Sequence, residues 1–136
     1  VKYDDLNYFE ANQQPYDSIT DPDYPAYFRT VNEVLYETFK EQIPNGTIDT
    51  ASSEELIAGL LFQKFRISIS MPNNIVIRLF MFSRPFGDKE FTVNIMYVDE
   101  EKGIRMMSAW KKSTFGKWDY SLSGISFVIE TLENQD

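Results

Sequence analysis

The hydrophobic pattern changes period once along this chain. Over residues 23–43, "DYPAYFRTVNEVLYETFKEQI", Tyr24, Tyr27, Phe28, Val31, Val34, Leu35 and Phe39 recur at spacings of three and four. That is the apolar stripe of an amphipathic helix laid on a sheet. Asp23 stands ready to cap its start, Pro25 suits a first turn, and "PNG" (Pro44 to Gly46) ends it. A second, short helix is predicted over 52–60, where "SSEE" fits a capping box. From Leu61 the period becomes two. Phe65, Ile67, Ile69 and Met71 alternate with Arg66, Ser68 and Ser70. Ile75, Ile77, Leu79 and Met81 oppose a half-apolar row of Val76, Arg78, Phe80, Phe82 and Arg84, which predicts a central strand covered on both faces. Phe91, Val93, Ile95 and Tyr97 make a third strand. "DEEKG" (Asp99 to Gly103) reads as a hairpin loop with a late glycine, "IRMMSAWKK" after it as a fourth strand, and 121–130 as a fifth.

Residues 1–22 hold no steady period. They read as an extended acidic arm, packed down through Tyr3, Leu6, Tyr8, Phe9 and Tyr16. Residues 23–136 read as a single α+β domain. Helices first and a meander after predict N-terminal helices packed on one face of a curved antiparallel sheet. A cystatin-like or nuclear-transport-factor-like cone has that layout.

Composition narrows the chemistry. The chain has 136 residues with no cysteine and no histidine. Disulfides, thiol nucleophiles and cysteine-ligated zinc are excluded, as is a Ser-His-Asp triad within the chain. Asp17, Asp21 and Asp23 lie close together, but the alternate ligands, glycine and final Glu of a calcium loop are missing. No Asp falls mid-element on an apolar face to act as a base. The expectation is a protein that is not an enzyme and carries no cofactor or metal. No apolar run approaches the roughly 20 residues that span a bilayer. A chain starting at Val1 rather than Met suggests that a signal or membrane segment lies upstream.

Charge is split. The formal net charge is −8, yet residues 1–55 alone carry −9 and the remainder +1. The basic residues of the second part include a cluster in "MMSAWKKSTFGKW", which also holds both tryptophans. In a strand, Trp110 would face the core and Lys111 the opposite side. Arg66, Arg78, Arg84 and Arg105 would then join Lys111, Lys112 and Lys117, beside Trp118, in a basic surface stripe. Asp17 and Asp21 in the acidic arm are its electrostatic complement, within the molecule or on a neighbouring subunit. The same stripe could bind nucleic acid through phosphate contacts and aromatic stacking, but an acidic chain with three clustered lysines disfavours that partner.

In element order and size, residues 23–130 resemble the soluble extracytoplasmic domain of type IV secretion assembly proteins, the VirB-type and TraM-type scaffolds of conjugation systems. The resemblance implies a non-enzymatic, oligomerising scaffold of a bacterial cell-envelope complex. Its partners would be other subunits, and it would meet the membrane only through a segment preceding Val1. The alternatives are a nucleic-acid-binding domain using the basic aromatic face, or an acidic intracellular inhibitor or immunity-type binding protein in the cytoplasm.

Overall fold

The alternation from residue 60 onward does produce three long strands. The computed structural model describes residues 2–115 and 127–128. In chain order the elements are β1 (Lys2–Asp4), β2 (Asn7–Pro15), α1 (Tyr24–Gln42), β3 (Thr47–Ile57), β4 (Leu60–Ser70), β5 (Val76–Phe86), β6 (Lys89–Tyr97), α2 (Glu100–Lys111), β7 (Thr114–Phe115) and β8 (Phe127–Val128). The first six strands form one antiparallel sheet in the order β1-β2-β6-β5-β4-β3, and β7 pairs with β8 separately. The fold is α+β, with β5 central as its two-sided pattern predicts.

The helices lie on opposite faces of the sheet, not on one. Tyr24 and Phe28 of α1 join Phe65, Ile67, Leu79 and Met81 in one core. Met106, Ala109 and Trp110 of α2 join Phe62, Phe82, Val93 and Ile95 in another. Met81 and Phe82 are neighbours on β5, so their side chains point to opposite faces. The second core follows the sheet, so α2 comes after the strands rather than before them.

Two local expectations are corrected. The short helix over 52–60 is part of β3, which pairs with β4 from Thr47–Ser70 to Ile57–Leu60. Ala58 and Gly59 make the two-residue turn, both at positive φ (53° and 79°), as a hairpin of this length requires. Eleven paired residues outweigh a four-residue capping pattern. The hairpin loop and strand over 99–112 are instead α2. Asp99 caps it, accepting from the amides of Glu101 (3.0 Å) and Lys102 (3.2 Å). Glu100 and Glu101 then sit in the first turn, where the helix dipole favours them. Buried Gly103, Met106 and Trp110 recur at spacings of three and four. Residues 1–22 include β1 and β2, which lie at one side of the sheet. β2 pairs with β6 from Tyr8–Met96 to Pro15–Lys89. Buried Asn7 accepts from the amides of Val98 (3.0 Å) and Asp99 (2.9 Å), tying β2 to the start of α2.

Gly103 sits where α2 crosses Tyr97. A Cβ there would come within 2.6 Å of the Tyr97 ring atom Cε2. That ring cannot swing away freely, because it stacks on Phe80 with centroids 6.0 Å apart. Alanine is the better helix former by about 1 kcal/mol, yet Gly103→Ala is expected to cost about 1–3 kcal/mol through overpacking. Urea denaturation checks the sign: a stabilised variant would mean that α2 does not press on Tyr97.

Candidate functional site

α1 carries the caps its sequence predicts. The Asp23 carboxylate accepts from the Ala26 amide at 3.2 Å, and Pro25 lies in the first turn. Its apolar residues spread wider than the strip of sheet beneath it. The buried line is Tyr24, Phe28 and Asn32, followed by half-buried Leu35 and Phe39, while Val34 stays 63% exposed. The helix thus lies over β4 and β5 and leaves a cleft on each flank.

The first cleft, about 620 Å³, separates α1 from β3. Arg29, Asn32, Glu33, Tyr36 and Glu37 form its helical wall, Ile48, Thr50 and Ser52 its strand wall, and Phe65 contributes from β4. Asn32 is 4% exposed, and neither its Oδ1 nor its Nδ2 meets a partner among the described residues. An orphaned carboxamide in such a position costs roughly 1–3 kcal/mol. No ion pair engages Arg29, Glu33 or Glu37 among the described residues. β3 is also the sheet's long edge, with no strand beyond it among the described residues.

The second cleft, about 330 Å³, lies between α1 and the strands β2 and β6. Cross-strand pairs Gln14–Glu90, Asn12–Thr92 and Glu10–Asn94 line up along it. Glu90 is 5% exposed. Its Oε2 accepts from the Tyr24 hydroxyl at 2.6 Å, and its Oε1 from the Gln14 side-chain amide. Burial, and then this bond, push the Tyr24 hydroxyl far above its ordinary value, so it stays a donor. Both Glu90 oxygens are engaged in pinning β2, β6 and α1 together. A general base needs a free oxygen within reach of a substrate proton.

The basic stripe is assembled only in part. Arg66, Arg78 and Arg84 do share the α2-side face of β4 and β5, but each has a partner within the chain. Arg66 meets Asp49 at 2.9 Å and Ser68 Oγ at 2.6 Å, and Arg78 pairs with Glu100. Arg84 donates to the Pro85 carbonyl and lies 4.6 Å over the Phe86 ring. Lys111 reaches Glu55, at 3.8 Å, while Lys112 is the exposed C-cap of α2. Arg105 is exposed on α2, not on a strand. Lys117 and Trp118 lie outside the described residues, as does most of the fifth strand expected over 121–130. Asp17 and Asp21 shape the turn before α1. The Asp17 carboxylate accepts from Thr20 Oγ1 (2.7 Å) and Ile19 N (2.9 Å), which holds it below its usual range. Asp21 offers its backbone carbonyl to the Tyr16 hydroxyl. The acids that meet the stripe's cations are Asp49, Glu55 and Glu100 instead.

Asn32 and Glu90 escaped the sequence reading. Asn32 left a signal: it follows Phe28 by four and precedes Leu35 by three, a polar residue in line with an apolar stripe. Glu90 left none, because its partners come from β2 and α1. Among the described residues no group of three or more acidic side chains is placed to hold a metal ion. No helix among them is long and apolar enough to cross a membrane. Comparison with protein-family models, curated proteins and solved structures gives no match.

Proposed function

We propose that this protein is a non-catalytic binding domain that docks a segment of a partner protein in the cleft between α1 and β3. The observation that carries the reading is that cleft: open, about 620 Å³, and rimmed by Glu33 and Glu37, which have no ion pair among the described residues. Its volume lies in the range of ligand sites, and its walls are polar on both sides. The engagement of both Glu90 oxygens supports a role other than catalysis. The internal neutralisation of Arg66 and Arg78 supports a protein partner over nucleic acid, whose binding rests on free cations. A cell-envelope scaffold is one setting for such a domain. The order behind that resemblance, helices before a meander, differs from the observed strand-strand-helix start. Only α1 over β4 and β5 is comparable with a cystatin-like or nuclear-transport-factor-like cone, and α2 lies outside it.

Thr50 and Ser52 are exposed on the strand wall, so arginine at both positions fills the cleft without touching a core. A displayed random-peptide library selected on the purified domain is expected to yield a consensus. Its synthetic form should bind the Thr50→Arg, Ser52→Arg variant about tenfold or more weakly. A library without a consensus, or peptides indifferent to the two arginines, would refute the proposal.

A further inference from the structure

We infer that the segment lies extended along the α1–β3 cleft, with Asn32 gripping one of its main-chain amides and Glu33 and Glu37 selecting lysine or arginine side chains; this rests on the docking role proposed above. Asn32 carries the argument. A carboxamide presents a donor and an acceptor side by side, and neither has a partner among the described residues although Asn32 is only 4% exposed. Buried polar groups in folded proteins almost always have partners, so an orphan on the wall of a cleft points to one that arrives from outside. A peptide unit in an extended chain offers a complementary acceptor and donor.

The rim identifies the side chains of that segment. Glu33 and Glu37 are successive turns of α1 facing the cleft, against Arg29 alone. The surrounding segment is acidic as well, since residues 1–55 carry a net −9. Phosphate-bearing ligands are therefore disfavoured and cationic ones favoured. A second copy of this chain fits less well along β3. Pairing two β3 strands over their full length, Thr47 opposite Ile57, would set Asp49 opposite Glu55 of the other copy, and like charges directly opposite are destabilising.

The test is a thermodynamic cycle. A basic peptide from the selection is made twice, once natural and once as a series in which single amides become esters. Binding is measured to the natural domain and to Asn32→Leu. One ester should cost about tenfold against the natural domain and almost nothing against Asn32→Leu. Asn32→Leu should also show a higher thermal midpoint, because an apolar side chain replaces an orphaned amide. In a ¹⁵N spectrum of the natural domain, the Asn32 side-chain amide resonances should move on adding the peptide, a readout that does not depend on any variant folding. Equal ester costs in both proteins, or Asn32 resonances that stay still while the peptide binds, overturn this inference and leave the docking role standing. Absence of any binding peptide defeats the docking role itself. Self-association that Glu33→Lys abolishes would show a second copy in the cleft and would overturn the inference too.

Discussion

Trp110→Ala is expected to bring the domain to the edge of unfolding. Trp110 is fully buried, and its ring lies 5.3 Å from that of Phe62, 5.5 Å from Phe82 and 6.3 Å from Phe9. Those three rings belong to β4, β5 and β2, so one side chain of α2 holds three strands of one face. Tilted and edge-on contacts of this kind add to the area term. Truncating a buried tryptophan costs about 3–5 kcal/mol, through lost transfer energy and the cavity left behind. A domain's whole stability is about 5–15 kcal/mol. Urea denaturation of both proteins measures the loss, and Trp110→Phe should fall between them. A loss near 0.5 kcal/mol, the size of an ordinary surface substitution, would refute the packing of α2 on the sheet.

The same residue shows where the sequence can be read and where it cannot. Its burial is legible, because Trp110 continues an apolar row in either reading. The element is not. Over 104–111, alternation and a 3.6 period share Met106 and Trp110, and they differ chiefly in the weight given to Met107 and Ala109. Gly103 settled the choice wrongly, since it reads as a turn residue when its role is to let the helix cross Tyr97. β3 was lost for a related reason. It is an edge strand, exposed along most of its length, so no hydrophobic alternation marks it, and its register comes from β4. β4 and β6 were legible because an apolar row that meets a core alternates with a largely polar one, and β5 because both its rows meet a core. The α1–β3 cleft was not, because the width of a cleft depends on where a helix lies on its sheet. That position is set by how Tyr24, Phe28 and Leu35 fit against Phe65, Leu79 and Met81, and no local pattern encodes it. The common face of Arg66, Arg78 and Arg84 was legible from the alternation of β4 and β5, but the ion pairs of Arg66 and Arg78 were not. Their acidic partners, Asp49 and Glu100, come from β3 and α2, the two elements misread.

Alkaline pH is expected to destabilise the native domain in a way that Tyr24→Phe relieves. The Tyr24 hydroxyl is buried and donates to the Glu90 carboxylate at 2.6 Å. Ionising it would place two anions in contact, away from water. Burial first, and the bond to Glu90 second, raise it far above the ordinary 10.0. Tyr16 and Tyr27, packed on its ring at 5.3 and 5.9 Å, shift in the same direction, burial again being the first cause. The sign follows from where the proton is held. Below pH 10 both native and unfolded Tyr24 are protonated, and the stabilisation is fully present. Above pH 10 the unfolded chain releases the proton while the native state retains it. Stability then falls by about 1.4 kcal/mol per pH unit for this group until the native value is reached. Tyr24→Phe leaves one Glu90 oxygen without its donor, so at pH 8 the variant should be less stable by about 1.5–3 kcal/mol. From pH 10 upward that gap should close within about two units, because the variant has no proton to hold. Lysines that titrate in the same window affect both proteins alike and cancel in the difference. Urea midpoints at intervals from pH 8 to pH 12 give the two curves. If they run parallel to the end, Tyr24 ionises in the native state as easily as in the unfolded one, and its hydroxyl is not buried against Glu90.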